Sequence, residues 1–434
     1  MFPKEGLTKQ AVLERMKKMR SDDARWKEGR TFSLVYHAGD EISGLLQDAY
    51  SMFMSENALS PFAFPSLRKF ESEVLRMAAE LFHGGPDAAG SMTSGGSESV
   101  LMAVKTARER MKAERGITAP EMVIPITVHP AFEKAAHYFG VKPVHCRVGA
   151  DFRADVSHMK ELINENTVLL VGSAISYPQG VVDPIEEIGQ LAQERGICCH
   201  VDACLGGFML PFAKKLGREI PKFDFEVPGV TSLSADLHKY GYAAKGASVI
   251  LHRSKEFRRH QFFTYSEWPG GLYASPSMTG TRPGGAIAAA WAVVNHLGEE
   301  GYLKIAKRVL DTTRKLQDGI AAIDGLRILG KPAMSVFAFN SDVLDVYALG
   351  DAMEAKGWSL DRQQRPPALH LMVTPAHEPV ADLFLADLRT CVESLKKGEP
   401  APDGSAALYG MLGAVPETTA REGFLLEMMD GIYD

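Results

Sequence analysis

The chain has 434 residues, 45% of them hydrophobic and 24% charged, with a formal net charge of −6. That length predicts a large core and more than one domain, and the acidic balance excludes the electrostatic footprint of a nucleic-acid-binding protein. No uninterrupted apolar run approaches the ~20 residues that cross a bilayer, so no transmembrane anchor is expected. The first residues lead into a charged stretch without the apolar segment of a secretory signal. Cys146, Cys198, Cys199, Cys204 and Cys391 are odd in number and lack metal-ligand spacing. They are expected to be reduced, the chain cytoplasmic, and no metal bound.

In chain order, 8–20 reads as a helix rich in Lys and Arg, followed by a polar, Gly-containing stretch to about 60 that holds Tyr36, His37 and Asn57. A Pro-punctuated loop at 60–66 precedes a helix over 66–83. Apolar residues Val100, Val104, Ala107 and Met111 predict a helix over 97–115, stopped by Gly116. Short β-like runs then alternate with helices: 122–128, 143–148, 167–175, 197–201, 231–234 and 247–252. Such alternation indicates a mostly parallel sheet covered on both faces, hence an α/β fold. Residues 253–285 read as loop, 286–323 as a long helix and 325–395 as a second α/β region. Residues 398–405 are the best linker, and a final helix is expected near 417–433. The expected division is 1–60, an N-terminal segment; 61–300, a large domain; 301–398, a small domain; and 399–434, a tail.

Three signals carry chemistry. Gly95-Gly96-Ser97 opens a predicted helix, where glycines admit close approach of a ligand and free N–H groups attract an anion. Asp202 ends an apolar strand, and acids at such ends face the ligand crevice of a parallel sheet. Lys239, in Ser234-Ala235-Asp236-Leu237-His238-Lys239-Tyr240, is a candidate Schiff-base lysine, with His238 and Ser234 as possible donors to a phosphate. A phosphate cradle, a buried acid and a reactive lysine, in that order, are what pyridoxal 5′-phosphate (PLP) needs from a protein. His129, directly after a strand, can stack on a pyridine ring. Tyr177 can transfer a proton, and Lys245 can hold an anionic substrate group.

Together these motifs resemble the PLP-dependent group II decarboxylase branch of the fold-type I enzymes. Within it the chain most resembles the sphingosine-1-phosphate lyases. The likeness rests on 92–99, 128–135, 200–208, His238-Lys239-Tyr240-Gly241-Tyr242-Ala243-Ala244-Lys245-Gly246, 271–276, 280–285 and the tail Ala406-Ala407-Leu408-Tyr409-Gly410-Met411. It implies a mostly parallel seven-stranded sheet flanked by helices, with a smaller C-terminal α/β domain. It also implies cleavage of a phosphorylated sphingoid base at C2–C3 to a fatty aldehyde and phosphoethanolamine. By the same resemblance, Lys239 binds PLP covalently, Asp202 pairs with its ring nitrogen and His129 stacks on it. Gly96, Ser97 and His238 hold its phosphate, with Gly280 and Thr281 of a neighbouring subunit nearby. Tyr36, Asn57, Tyr177, Lys245, Tyr273 and Thr281 surround the substrate, Tyr273 arriving from the partner. Such enzymes are homodimers with shared sites, which the N-terminal segment helps close.

One departure stands out. The family's Asn-Pro-Leu-His-Pro pattern reads Asn57-Ala58-Leu59-Ser60-Pro61 here, so Ser60 replaces a histidine expected at the substrate phosphate. Losing one donor to a charged group weakens binding by ~1.5–3 kcal/mol. Two other readings stay open on the residues alone. One is an L-amino-acid α-decarboxylase on the same scaffold, which needs a group for the α-carboxylate and gives Lys245 no task. The other is a catalytically silent binding protein, which the set Asp202, Lys239, His129 and Lys245 argues against.

Overall fold

The computed structural model describes residues 2–60, 62–402, 404 and 418–433. Pro61 and the 406–411 motif lie outside them. The chain opens with helices α1 (Lys9–Met19), α2 (Asp40–Met52) and α3 (Pro65–Leu81). The large sheet and its covering helices follow in order: β1 (Ala89–Thr93), α4 (Gly96–Arg115), β2 (Glu121–Pro125), α5 (Ala131–Phe139), β3 (Lys142–Cys146), α6 (Val156–Leu162), β4 (Thr167–Ser173), α7 (Ile185–Arg195), β5 (Cys198–Asp202), α8 (Leu210–Lys215), β6 (Ser232–Ala235) and β7 (Ser248–His252). Their spatial order is β1-β7-β6-β5-β4-β2-β3. Neighbours are parallel except at β7, which runs against both β1 and β6. Every residue of β4 and β5 is buried, as their unbroken apolar runs require of strands covered on both faces.

Helix α4 starts where Gly95 and Gly96 let the chain turn off β1, and buries Val100, Val104, Ala107 and Met111 against the sheet. It stops at Gly116, whose φ of 68° suits glycine and whose N–H caps the Lys112 carbonyl. The predicted strands are present: β2, β3 and β4 end two or three residues before the expected bounds, where the chain turns into loops at the sheet's C-terminal edge, and β5, β6 and β7 begin one residue later than read. Other elements were not foreseen. β1 is a short strand rich in small residues, and α2 lies within the stretch read as polar; it packs on the helix that opens at Gly284, where a Cβ at Gly285 would meet the Tyr50 ring at 2.8 Å. The 253–285 loop also holds α9 (Lys255–Arg259) and the hairpin of β8 (Phe263–Tyr265) and β9 (Tyr273–Ser275).

Helix α10 (Gly284–Ala321) runs from the large unit to the small one and is broken at Gly298, where φ is 54° and ψ −173°. The small unit comprises β10 (Leu326–Ile328), β11 (Val336–Ser341), α11 (Val346–Ala355), β12 (Asp361–Gln364), β13 (Pro367–Met372) and α12 (Ala381–Lys396). Its four strands are all antiparallel, in the order β10-β11-β13-β12, with α11 packed on β13 and α12 against α11 and α10. Helix α13 (Thr418–Tyr433) ends the chain.

The N-terminal segment is woven into the small unit. Phe32 donates its N–H to Ser359 and accepts one from Met372, and its ring stacks on His377 at 4.1 Å. A second junction joins the two units at the turn after Tyr177. There the Gly180 carbonyl accepts the Ala333 N–H, and Gly180, at φ 68°, leaves 1.8 Å between an added Cβ and the Val336 carbonyl oxygen. Gly180→Ala should therefore lower stability by roughly 2–4 kcal/mol through backbone strain and overpacking. Chemical denaturation should show a lower midpoint than wild type; an unchanged midpoint would disprove the tight junction.

Candidate active site

The C-terminal ends of β4 and β5, the turn between β1 and α4, and the loop after β6 surround one cavity of about 400 Å³. Each side chain is placed by an element that ends there. The β5 apolar run terminates in Asp202, 7% exposed, whose Oδ1 accepts the Cys204 N–H at 3.0 Å. This meets the need for a partner in an otherwise apolar surround. At the other wall, Gly95, Gly96 and Ser97 begin α4, with the positive end of the helix facing in. The cradle has no spare room: a Cβ at Gly96 would lie 2.7 Å from Asp236 Oδ2 and 2.8 Å from Cys204 Sγ, and one at Gly95 3.1 Å from His238 Cε1. Glu98 stiffens it, accepting the Ser94 N–H at 2.7 Å and hydroxyl at 2.6 Å on one oxygen and the Met278 N–H at 2.8 Å on the other.

Lys239 Nζ stands in this cavity 2.9 Å from Asp236 Oδ2. Burial disfavours its charge, but Asp236, with Cys204 and Asp202, outweighs this, so its pKa is raised. His238 accepts the Ala247 N–H on Nδ1 at 3.1 Å, which puts the ring proton on Nε2, 3.6 Å from Asp236 Oδ2. Burial lowers the pKa of both His238 and His129. Neutral imidazoles suit a donor at a phosphate and a stacking platform. His129 is oriented by the Ala131 N–H on its Nδ1, at 3.1 Å.

Tyr177 enters from the loop after β4 and is held by the small unit. Its phenol donates to Asp361 Oδ2 at 2.7 Å, and its ring stacks on His370 at 4.2 Å. His370 lies opposite Asp361 in the β12–β13 register and donates from Nε2 to the Tyr177 carbonyl at 2.9 Å. Burial holds its pKa down to about 4. Lys245 sits beside the cavity: Nζ donates to the Leu34 carbonyl at 2.8 Å and lies 5.0 Å from the centre of the Tyr36 ring. Protein packed around it, and Lys239, lower its pKa. Tyr36 packs edge-on against Tyr240 and points its hydroxyl at the Met372 sulfur, 3.2 Å away.

Some expected residues are elsewhere. Ser234 is fully buried behind Asp202, with its hydroxyl 3.5 Å from Oδ1 and 3.2 Å from His200 Nε2; it supports the acid and does not reach the cradle. Asn57 and Thr281 meet each other at 3.3 Å, away from the cavity of their own chain, and Gly280 and Tyr273 are not among its lining residues either. Ser60 accepts the Ala63 N–H at 3.3 Å in its own turn. Asp236, Asp361 and His370 were missed as site residues. Asp236 stood in the lysine motif and could have been flagged; the other two are brought in by small-unit strands that no local pattern ties to Tyr177.

A family model for the pyridoxal-dependent decarboxylase conserved domain matches residues 2–341. The chain is 46% identical to sphingosine-1-phosphate lyase of Arabidopsis thaliana, over 100% of this chain and 81% of that one. It is 45% identical to sphingosine-1-phosphate lyase 1 of Rattus norvegicus, over 100% and 77%. The chain belongs to the pyridoxal-dependent decarboxylase family and, within it, to the sphingosine-1-phosphate lyases. A solved sphingosine-1-phosphate lyase from Burkholderia pseudomallei superposes on this family member with a TM-score of 0.92, at 39% identity and covering 100% of this chain and 97% of that one. A Lactobacillus brevis glutamate decarboxylase, 20% identical with a TM-score of 0.79 over 92% of this chain and 95% of that one, shares the fold.

PLP is the cofactor of this lyase-family fold, and the residues present fit it. A glycine cradle that a single Cβ would fill would receive the phosphate, while Asp202, His129 and Lys239 line the same cavity and would serve the ring nitrogen, the ring face and the aldehyde. Gly96→Ala should therefore leave the fold intact yet weaken cofactor binding about tenfold or more, the overpacking cost of roughly 1–3 kcal/mol falling on the cradle. Titration of the cofactor's visible absorbance measures this; unchanged affinity would place the phosphate elsewhere.

Proposed function

We propose that the protein is a PLP-dependent lyase that cleaves sphingosine 1-phosphate between C2 and C3, releasing a fatty aldehyde and phosphoethanolamine. The observation that carries this reading is a second cation at the cavity: Lys245, beside Lys239 and bracketed by Leu34 and Tyr36, where an anionic substrate group can be held. An α-decarboxylase of this fold would give that ammonium no task.

Bound PLP supplies an electron sink for the pair left by the breaking bond. The chain's own groups do the rest. Lys239 would anchor the cofactor until the substrate amine takes its place. Asp202 would hold a proton at the ring nitrogen, and His129 would pack on the ring. The α4 N-terminus and His238 Nε2–H would hold the phosphate. Tyr177 donates to Asp361, so its oxygen can take the proton of the substrate's C3 hydroxyl as its own proton passes to Asp361. Loss of that proton lets the C3–O bond become a carbonyl as C2–C3 breaks. Lys239 or Tyr177 then returns a proton to C2. Lys245 holds the substrate phosphate while this happens.

The spectrum of the purified protein, with and without sphingosine 1-phosphate, tests this together with an assay for both products. Lys239→Ala should lose turnover and the visible absorbance of lysine-bound cofactor; a variant keeping both would overturn the assignment. Lys245→Met should keep the absorbance and raise KM about tenfold or more, the loss of one charge-assisted hydrogen bond. Carbon dioxide from an amino acid, with no aldehyde, would favour decarboxylation.

We further infer a homodimer with shared sites, in a cytoplasmic, reducing setting that suits five free, buried cysteines. The β8–β9 region exposes Phe263, Tyr265, Trp268 and Leu272, and α1 buries none of its residues, as surfaces waiting for a partner do. Tyr273, Gly280 and Thr281 lie on that same segment, so a partner is the natural recipient of their side chains. Among the described residues no helix is long and apolar enough to cross a membrane. Sedimentation should give twice the chain mass, and mixing Lys239→Ala with Tyr273→Phe subunits should restore activity above either parent; a monomer with full activity would refute sharing.

A further inference from the structure

Asp236 has no task in the reaction above, yet it is 1% exposed and central to the site. One of its oxygens, Oδ2, lies 2.9 Å from Lys239 Nζ and 3.6 Å from His238 Nε2. On its other side the carboxylate backs onto Gly96, so it stands between the anion cradle and the reactive lysine. The Ser248 hydroxyl, from β7, is another side-chain donor that faces the carboxylate. The groups around it are Lys239 and His238 from its own turn, Cys204 from the loop after β5, His129 from the loop after β2, and Tyr36 and Lys245 at the mouth. Burial favours the neutral form of both histidines and of the Cys204 thiol. Lys239 is therefore the cation in contact with it.

We propose that Asp236 is a positioning residue for Lys239: it captures the lysine's ammonium whenever the lysine is not covalently engaged, and so fixes when the neutral amine becomes available. Only a neutral amine bonds to a carbonyl carbon. An ammonium paired with a buried carboxylate gives up its proton at higher pH than a free one, so the pair sets the pH at which Lys239 can engage. An anion settling in the Gly95–Ser97 cradle opposes the Asp236 charge and loosens the pair, allowing the proton to pass from Nζ to Oδ2. Later, when a substrate amine displaces the lysine, Asp236 receives it as the ammonium and delays its return. This rests on Lys239 as the cofactor's anchor.

The test begins with the holoenzyme, stripped of PLP by hydroxylamine. Acetic anhydride labelling across pH, read by mass spectrometry, gives the titration midpoints of Lys239 and Lys245. Return of the visible absorbance on adding PLP certifies the stripped protein as native. In wild type, the Lys239 midpoint should lie above that of Lys245. In Asp236→Asn, Lys239 should label about tenfold or more faster near neutral pH, equivalent to a midpoint at least about one pH unit lower. Equal labelling in the two proteins would overturn the proposal. Should the variant fail to fold, the wild-type comparison decides: a Lys239 midpoint at or below that of Lys245 overturns it. Failure of the anchor assignment would show differently, as cofactor absorbance persisting in Lys239→Ala.

Discussion

Burying a carboxylate and an ammonium side by side is costly unless each compensates the other, and breaking such a pair leaves an uncompensated charge in low dielectric. The Asp236–Lys239 pair imposes that condition on everything around it. Asp236 sits just past β6, and Lys239 three residues on, in a turn held by the Tyr242 N–H on the Lys239 carbonyl and the Ala243 N–H on that of Leu237. Tyr240 and Tyr242 are fully buried beneath it, and Tyr302 bonds the Gly241 carbonyl at 2.8 Å. The turn is therefore a rigid part of the core and not a surface loop. A lysine on a mobile loop would spend its time solvated, with an ordinary pKa and no fixed direction.

The same logic explains the division between the two acids. Asp202 ends a central parallel strand and takes an N–H from its own loop on Oδ1. Asp236 takes the lysine. Two carboxylates in one cavity have separate partners, which spares them mutual repulsion and gives each a defined proton. The glycines of the cradle follow from this crowding: with Asp236 and Cys204 directly behind Gly96, no side chain fits, and only a backbone can approach.

Much of this was legible in the chain because it is local. The cradle, the strand ending in an acid and the lysine turn each occupy a few consecutive residues. Parallel α/β topology then gathers the C-terminal ends of strands at one edge. What was illegible is long-range. Tyr177 read as a loop phenol near a strand, but its orientation comes from Asp361 and His370, placed across from one another by an antiparallel register in the small unit. Ser234 read as a phosphate donor from its position in the motif; strand alternation turns it behind Asp202 instead. Helix α2 was lost in a polar stretch because its single buried residue, Ile42, makes too thin an apolar stripe to announce a helix.

The small unit thus contributes to chemistry without lining the cavity. It grips Tyr177 through a carboxylate and a stacked imidazole, and it holds the preceding N-terminal segment through Phe32, which positions the Leu34 carbonyl on Lys245. Both proton handling at the substrate hydroxyl and charge at the substrate anion therefore depend on the same junction. Any shift of the small unit relative to the large one moves Tyr177 and Lys245's support together. Lys239 and Asp202 are placed by the large unit alone, whereas the orientation of Tyr177 and the support of Lys245 reach across the junction to the small unit.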